Sequence, residues 1–143
     1  MDYVSSSLML KRPVTVKAIV TTRWKEEVQA QLQGQIQQLD EQMQQIDMQG
    51  QRTIEEIQKK GASNPQIDNI KSQVNQKKSE LLNKKNQLLQ QLQQVQLLEL
   101  DQEVVQAQME SFFRIEKGDN LVRKLNVEVV LRDGVVEEIR GEL

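Results

Sequence analysis

The sequence predicts an α+β fold, in which a long antiparallel coiled-coil hairpin is inserted between strands of a small, mostly antiparallel β-domain. Three observations predict this architecture. Residues 22–102 are rich in Gln, Lys and Leu and contain a single Pro. Alternating apolar residues precede and follow this segment, which is typical of strands. Finally, an Asp-Gly pair at 133–134 separates two more strand patterns, as in a type I′ hairpin turn.

These patterns divide the chain into two predicted domains. Residues 8–21 and 103–143 form the β-domain, and residues 22–102 form the coiled-coil hairpin with its turn near residues 61–65. In the first strand Val14, Val16, Ala18 and Val20 alternate with other side chains, and Pro13 suits a strand end or an edge.

The helix ends are predicted from capping signals. Thr22 is a candidate N-cap for the first helix, and Gly61 is a candidate C′ residue at its end. In the stretch "GASNP", Asn64 is a candidate N-cap for the second helix and Pro65 its first helical residue. The second helix is expected to run to about Leu100.

The glutamine-rich stretch "LQGQIQQLDEQMQQIDMQGQ" is interpreted as a solvated helix face rather than a disordered tract. Its apolar residues recur at spacings of three and four, which predicts a coiled-coil seam. A chain that folds back at residue 62 pairs Met43 with Leu81, Leu32 with Leu92, and Gly50 with Val74. The apolar positions of each helix follow from its own sequence alone, so their match across one fold-back point supports an antiparallel hairpin.

The same fold-back predicts that the strand before the hairpin pairs antiparallel with the strand after it, with Val16 facing Gln108. The later strand is expected to turn one apolar face inward. That face contains Val105, Ala107, Met109, Phe113 and Ile115.

Composition excludes several kinds of chemistry. With no Cys and no His, the chain has no disulfide, no thiolate metal site and no histidine proton shuttle. The acidic cluster Glu99, Asp101 and Glu103 could offer oxygen ligands to a divalent cation, but solvated charge is the preferred interpretation. We therefore expect no catalytic residues, no metal and no cofactor. Without an apolar segment near the start, the chain is expected to be cytoplasmic and to have no membrane span.

Two surfaces of the hairpin are candidates for binding. Leu82 and Leu89 lie one step beside the predicted seam, and Ile54 and Ile70 extend the apolar edge near the tip. An apolar edge of this kind predicts a homo-oligomer, with a dimer favoured, although a wider intramolecular seam would also explain it. The second surface is a basic patch on the second helix: Lys71, Lys77, Lys78, Lys84 and Lys85.

The opening "VTVKAIVT", the Gln/Lys-rich double helix, the "IEKGDNL" turn and the closing "VVLRDGVVEEIRG" together resemble the bacterial YlqD family. The resemblance covers nearly the whole chain and implies a cytoplasmic bacterial protein, but it brings no activity, substrate or site residues. A β-domain with a long helical hairpin also resembles the adaptor subunits of secretion and efflux systems. Those proteins usually carry an export signal or membrane anchor and further β-domains, which we do not expect in this chain.

The function predicted from the sequence is a non-enzymatic structural or protein-interaction protein that presents a coiled-coil arm. A nucleic-acid-associated protein that uses the basic patch is the alternative, and a secretion or efflux adaptor is the third possibility. The net charge of −2 disfavours binding to nucleic acid, because such binding is driven largely by neutralising phosphates.

Overall fold

The structure, a computed structural model, describes residues 6–142. Leu143, which the sequence places in the β-domain, lies outside this range. The elements follow in the order β1 (Ser7–Ile19), α1 (Thr22–Lys59), α2 (Asn64–Leu97), β2 (Glu103–Glu116), α3 (Leu121–Leu125), β3 (Val127–Arg132) and β4 (Val135–Arg140). The predicted α+β class and the position of the two long helices between two strands are confirmed. The short helix α3 was not predicted.

The four strands form one sheet in the order β2-β1-β3-β4. β1 pairs antiparallel with β2 and parallel with β3, and β3 pairs antiparallel with β4. The Asp133-Gly134 turn has positive φ angles of 50° and 82°, as a type I′ turn requires, so the predicted hairpin is confirmed. β2 and β4 are the two edge strands.

The predicted register between β1 and β2 is wrong by one residue at Val16 and by two residues between Lys17 and Ile19. Val16 lies opposite Ala107 and not Gln108, and the next pair is Lys17 with Val105. Gln106 is therefore an extra residue in a β-bulge. The bulge does not cause the register error, because the pairs nearer the helices, such as Ile19 with Glu103, are displaced by two residues. The fold-back relation holds for the direction of pairing but not for its register.

Pro13 was predicted at a strand end or an edge. It instead lies within β1, opposite Glu110. The parallel pairing of β1 with β3 starts only at Val14. At Pro13 one side of β1 therefore has no neighbouring strand, and a nitrogen on that side needs no ladder partner.

The chain divides into two compact units, one made of the residues before Glu26 and after Leu97, and the other of Glu26–Leu97. We call them the sheet unit and the hairpin unit. Most buried apolar side chains belong to the sheet unit. They are Val14, Val16, Ala18, Ile19, Val20, Phe113, Val127 and Val130, whereas the hairpin unit contributes Leu32 and Val95.

Arg12 is the one buried charged residue in the described part of the chain. Its guanidinium donates to the carbonyl oxygens of Lys124 (2.7 Å) and Glu142 (2.9 Å) and lies 4.7 Å from the centre of the Phe113 ring. These hydrogen bonds offset the desolvation of the charge. Arg12 therefore ties β1 to the end of α3 and to the chain beyond β4.

In both long helices the N-cap lies one residue before the predicted one. Thr21, not Thr22, accepts a hydrogen bond from the backbone N–H of Trp24 (3.0 Å). At α2 the cap is Ser63, not Asn64, because the Gln66 side chain accepts from the Ser63 N–H as in a capping box. Pro65 is consequently the second helical residue.

The end of α1 follows the prediction. Gly61 has a φ of +78°, and the N–H groups of Gly61 and Ala62 donate to the carbonyls of Gln58 and Ile57. This is the Schellman motif, in which glycine adopts the left-handed conformation that other residues avoid. α2 ends at Leu97, three residues before the predicted end.

Candidate interaction surfaces

The two helices of the hairpin unit lie against each other in the predicted antiparallel register. A Cβ atom added to Gly50 would meet Cγ2 of Val74 at 2.6 Å, so glycine permits close approach at this point. Nearer the sheet end of each helix, Lys78 contacts Asp47 and Lys85 contacts Asp40. These successive contacts run in opposite directions along the two helices and define the hairpin.

Leu82 and Leu89 are exposed, with 47% and 40% of their surfaces accessible. Their neighbours Leu81 and Leu88, which lie on the seam, are partly buried. Residues seven apart on an α-helix lie on the same face, so Leu82 and Leu89 form an apolar strip beside the seam.

Ile54 and Ile70, the other predicted members of this strip, are both partly buried and line different grooves. Ile54 shares its groove with Asp47 and Lys71. Leu82 follows Lys78 by one turn on α2, and Lys78 follows Lys71 by two turns, so Ile54 lies on the same side of the hairpin as Leu82. Ile70 shares its groove with Thr53 and other polar residues. The structure thus brings Ile54 to the strip but not Ile70.

The basic patch is partly neutralised within the hairpin. Lys78 and Lys85 make ion pairs of 2.9 Å and 2.8 Å with Asp47 and Asp40, and their side chains are only partly exposed. The other three patch residues are exposed and make no ion pair within residues 6–142; they are Lys71, Lys77 and Lys84. The two aspartates were not predicted, although their spacing of seven matches that of their lysine partners.

Glutamines line the opposite side of the seam. A groove beside Leu39 and Leu88 contains Gln35, Gln38, Gln42, Gln87 and Gln91 together with Lys84. The predicted solvated face is therefore a polar, largely uncharged surface with many amide donors and acceptors.

The carboxylates near the end of α2 are engaged by arginines. Glu103 makes two hydrogen bonds with Arg140, at 2.7 Å and 3.1 Å, and Asp101 pairs with Arg132 at 3.3 Å. The hydrogen bonds from Arg140 hold the pKa of Glu103 below its ordinary value of 4.5. Within residues 6–142 no group of three or more Asp or Glu residues is placed to hold a metal ion.

Asp119 has a structural role in the turn between β2 and α3. Its carboxylate accepts from the N–H of Glu116 (2.7 Å) and lies 3.3 Å from the ammonium of Lys124. The backbone hydrogen bond, followed by Lys124, lowers the pKa of Asp119. Gly118, with a φ of +100°, supplies the left-handed residue that this turn needs.

The sheet unit exposes more apolar surface than predicted. Val105, Ala107 and Met109 were expected to face inward, yet all three are exposed, whereas Phe113 on the same strand is buried. The expectation failed because β2 is an edge strand and because the bulge at Gln106 places Val105 beside Lys17 rather than on the face of Val16. Exposed Phe112 adds to this apolar edge.

None of the helices within residues 6–142 is both long enough and apolar enough to cross a membrane. The fold and its surfaces define a class of protein in which a helical hairpin unit joins two strands of a mostly antiparallel sheet unit. The family model described as YlqD protein matches residues 8–140. The chain belongs to the YlqD family, as its motifs indicated.

A comparison with curated proteins finds no match. Among solved structures, the chain is similar to a crystal structure of a protein of unknown function from Synechococcus sp. WH 8102. The two are 43% identical over 94% of this chain and 96% of the other, with a TM-score of 0.82. This similarity supports the whole architecture, including the helical hairpin between β1 and β2.

Proposed function

We propose that this protein is a non-enzymatic structural or protein-interaction protein, and that its hairpin unit binds a helix of a second copy. The observation that carries the proposal is the strip of Leu82 and Leu89, which stays exposed beside a seam that is already formed. The cytoplasm is the compartment that we expect from the sequence.

The strip has the properties of a helix-binding surface. Ile54 lies on the same side, and the Lys78–Asp47 and Lys85–Asp40 ion pairs lie next to the leucines. Burying a leucine that is about half exposed contributes roughly 1 kcal/mol, and a two-fold arrangement doubles the number of buried leucines. Because the neighbouring charges are already paired, a second apolar helix can approach without leaving unpaired charge at the contact.

Sedimentation velocity at micromolar concentration tests this proposal. We expect the wild-type protein to be larger than its 16.6 kDa chain, and we expect the Leu82→Glu/Leu89→Glu variant to lose mass while its helical circular dichroism persists. Leu81→Glu is a matched control, because it alters the intramolecular seam and should reduce helicity instead. An unchanged mass in the double variant would refute a role for the strip in self-association.

Binding to nucleic acid remains the alternative function. The basic patch predicts that any affinity for RNA or duplex DNA falls steeply between about 50 mM and 200 mM salt. Replacing Lys71, Lys77 and Lys84 with Gln should then reduce the binding and flatten its salt dependence. We expect no salt-dependent binding, since two of the five lysines are already neutralised within the hairpin.

A further inference from the structure

The outer edge of β2 is unusually long and poorly protected. β2 runs from Glu103 to Glu116, more than twice the length of the other edge strand, β4 (Val135–Arg140). Native sheets usually protect exposed edges with proline, with lysine, with β-bulges or with very short strands. β2 contains neither Pro nor Lys, and its one bulge, at Gln106, leaves residues 107–116 regular, so its backbone can accept another strand.

The side chains on this edge are apolar where solvent would favour polar ones. Val105 is 62% exposed, Met109 is 63% exposed and Phe112 is 69% exposed. The ammonium of Lys11 lies 5.5 Å from the centre of the Phe112 ring and covers it in part. An exposed, long and apolar edge strand is a surface on which strand pairing is expected.

The pairing of β2 with β1 shows which of its residues share a face. Val105 and Phe112 both lie opposite odd-numbered residues of β1, Lys17 and Lys11, so their side chains are on one face of the sheet. Glu103 and Arg114 lie opposite Ile19 and Met9 and are on that same face. Met109, opposite Val14, is on the other face. In a two-fold pair of antiparallel strands, opposite residues must share a face.

We propose that β2 pairs antiparallel with β2 of a second copy, with Met109 on the two-fold axis, over residues 103–114. In this register Gln108 faces Glu110 of the second copy. The bulge at Gln106 then shifts the pairing by one residue, so that Val105 faces Phe112 and Glu103 faces Arg114. The two most exposed apolar residues that β2 has on this face thus meet, and the acidic end of the strand meets the basic one.

Other two-fold registers satisfy fewer of these conditions. An axis at Glu110 places two carboxylates opposite each other. An axis at Phe112 pairs Glu110 with Arg114, but it includes only residues 108–116 and leaves Val105 without a partner. The register centred on Met109 pairs residues 103–114, places no two like charges opposite each other there and sets Glu103 opposite Arg114, so charge complementarity selects it.

The β2 contact lies in the sheet unit and does not depend on the hairpin strip. Its test is therefore carried out in the Leu82→Glu/Leu89→Glu chain, where the proposed hairpin contact is removed. If only the hairpin contact exists, this chain is a monomer. If the β2 contact exists, this chain is a dimer.

Disulfide trapping tests the register directly, because the natural chain has no cysteine. With Met109→Cys, the two sulfurs belong to opposite residues whose Cα atoms are about 5 Å apart, within the range of a disulfide. We expect mild oxidation to give a covalent dimer on a non-reducing gel. Met9→Cys, an exposed position on β1, is the matched control and should stay mostly monomeric.

Charge repulsion gives a second, reversible measurement. Met109→Glu places two carboxylates opposite each other at the axis, and we expect the dissociation constant measured by sedimentation equilibrium to rise at least about tenfold. Val135→Glu, which adds the same charge to an exposed residue of the other edge strand, should leave the dissociation constant unchanged.

Three results would overturn the proposal. The first is a Leu82→Glu/Leu89→Glu chain that is monomeric at about 100 μM, which would leave the edge to a strand of another protein. The second is trapping through Phe112→Cys but not through Met109→Cys, which would reject this register. The third is an equal loss of association in Met109→Glu and Val135→Glu.

Discussion

The sheet unit and the hairpin unit obtain their stability in different ways. The sheet unit contains most of the buried side chains and is held at one end by Arg12, which binds two carbonyl oxygens. The hairpin unit has two buried apolar residues, Leu32 and Val95, and a long seam of partly buried ones. A single substitution in the sheet unit should therefore have a large effect, whereas the seam distributes its stability over many small contacts.

Phe113 and Phe112 offer the sharpest comparison within the sheet unit. Phe113 is 5% exposed and lies under the Arg12 guanidinium, whereas its neighbour Phe112 is mostly exposed. We expect Phe113→Ala to lower the free energy of unfolding by about 3–5 kcal/mol, and Phe112→Ala to change it by no more than about 0.5 kcal/mol. Chemical denaturation of both variants in a Leu82→Glu/Leu89→Glu/Met109→Glu background excludes a contribution from either proposed contact. Similar losses in the two variants would contradict this view of the core.

These two phenylalanines also show what the sequence could and could not predict. Alternation correctly placed Phe113 inward, and the same alternation wrongly placed Val105 and Met109 inward. Alternation identifies which residues share a face, but it does not show whether anything covers that face. β2 was expected to be paired with β1, yet its position at the edge depends on β3, which reaches β1 from the far end of the chain.

The helical hairpin was predicted more completely than the sheet. Its register follows from a periodic pattern that repeats along both helices, so Gly50 opposite Val74 could be predicted. The Asp40–Lys85 and Asp47–Lys78 ion pairs were missed, because only the apolar positions of the repeat were considered. The bulge at Gln106 had no equivalent signal, since neither glycine nor proline marks it.

Substitution of Gly50 tests whether the two helices of the hairpin unit are in close contact at this point of the seam. Alanine there would place its Cβ 2.6 Å from a Val74 methyl group, whereas nothing lies within 4 Å of a Cβ on Gly34. Alanine favours a helix by about 1 kcal/mol over glycine, and overpacking costs about 1–3 kcal/mol. We therefore expect Gly50→Ala to destabilise the protein by about 1 kcal/mol and Gly34→Ala to stabilise it by about 1 kcal/mol.

Thermal unfolding followed by helical circular dichroism measures both glycine variants. Because the clash involves Val74, we expect Val74→Ala to remove the penalty of Gly50→Ala when the two are combined. Gly50→Ala and Gly34→Ala that stabilise the protein equally would show that the helices are not in close contact at this point.

The smallest expected effect is on the pH dependence of the sheet unit. The hydrogen bonds from Arg140 hold the pKa of Glu103 below 4.5, so the ionised carboxylate is favoured in the folded state. The resulting stabilisation is present above about pH 4.5 and is lost as the pH falls through the lowered pKa. Glu103→Gln in the Leu82→Glu/Leu89→Glu/Met109→Glu chain removes this contribution. Its urea midpoint at pH 7 should therefore lie below that of the same chain with Glu103 retained. The two midpoints should converge towards pH 3.

In an Arg140→Gln background the same substitution should have almost no pH-dependent effect, because the principal cause of the lowered pKa is gone. A difference between the midpoints that stays constant from pH 7 to pH 3 would show that Glu103 contributes through packing and not through its charge.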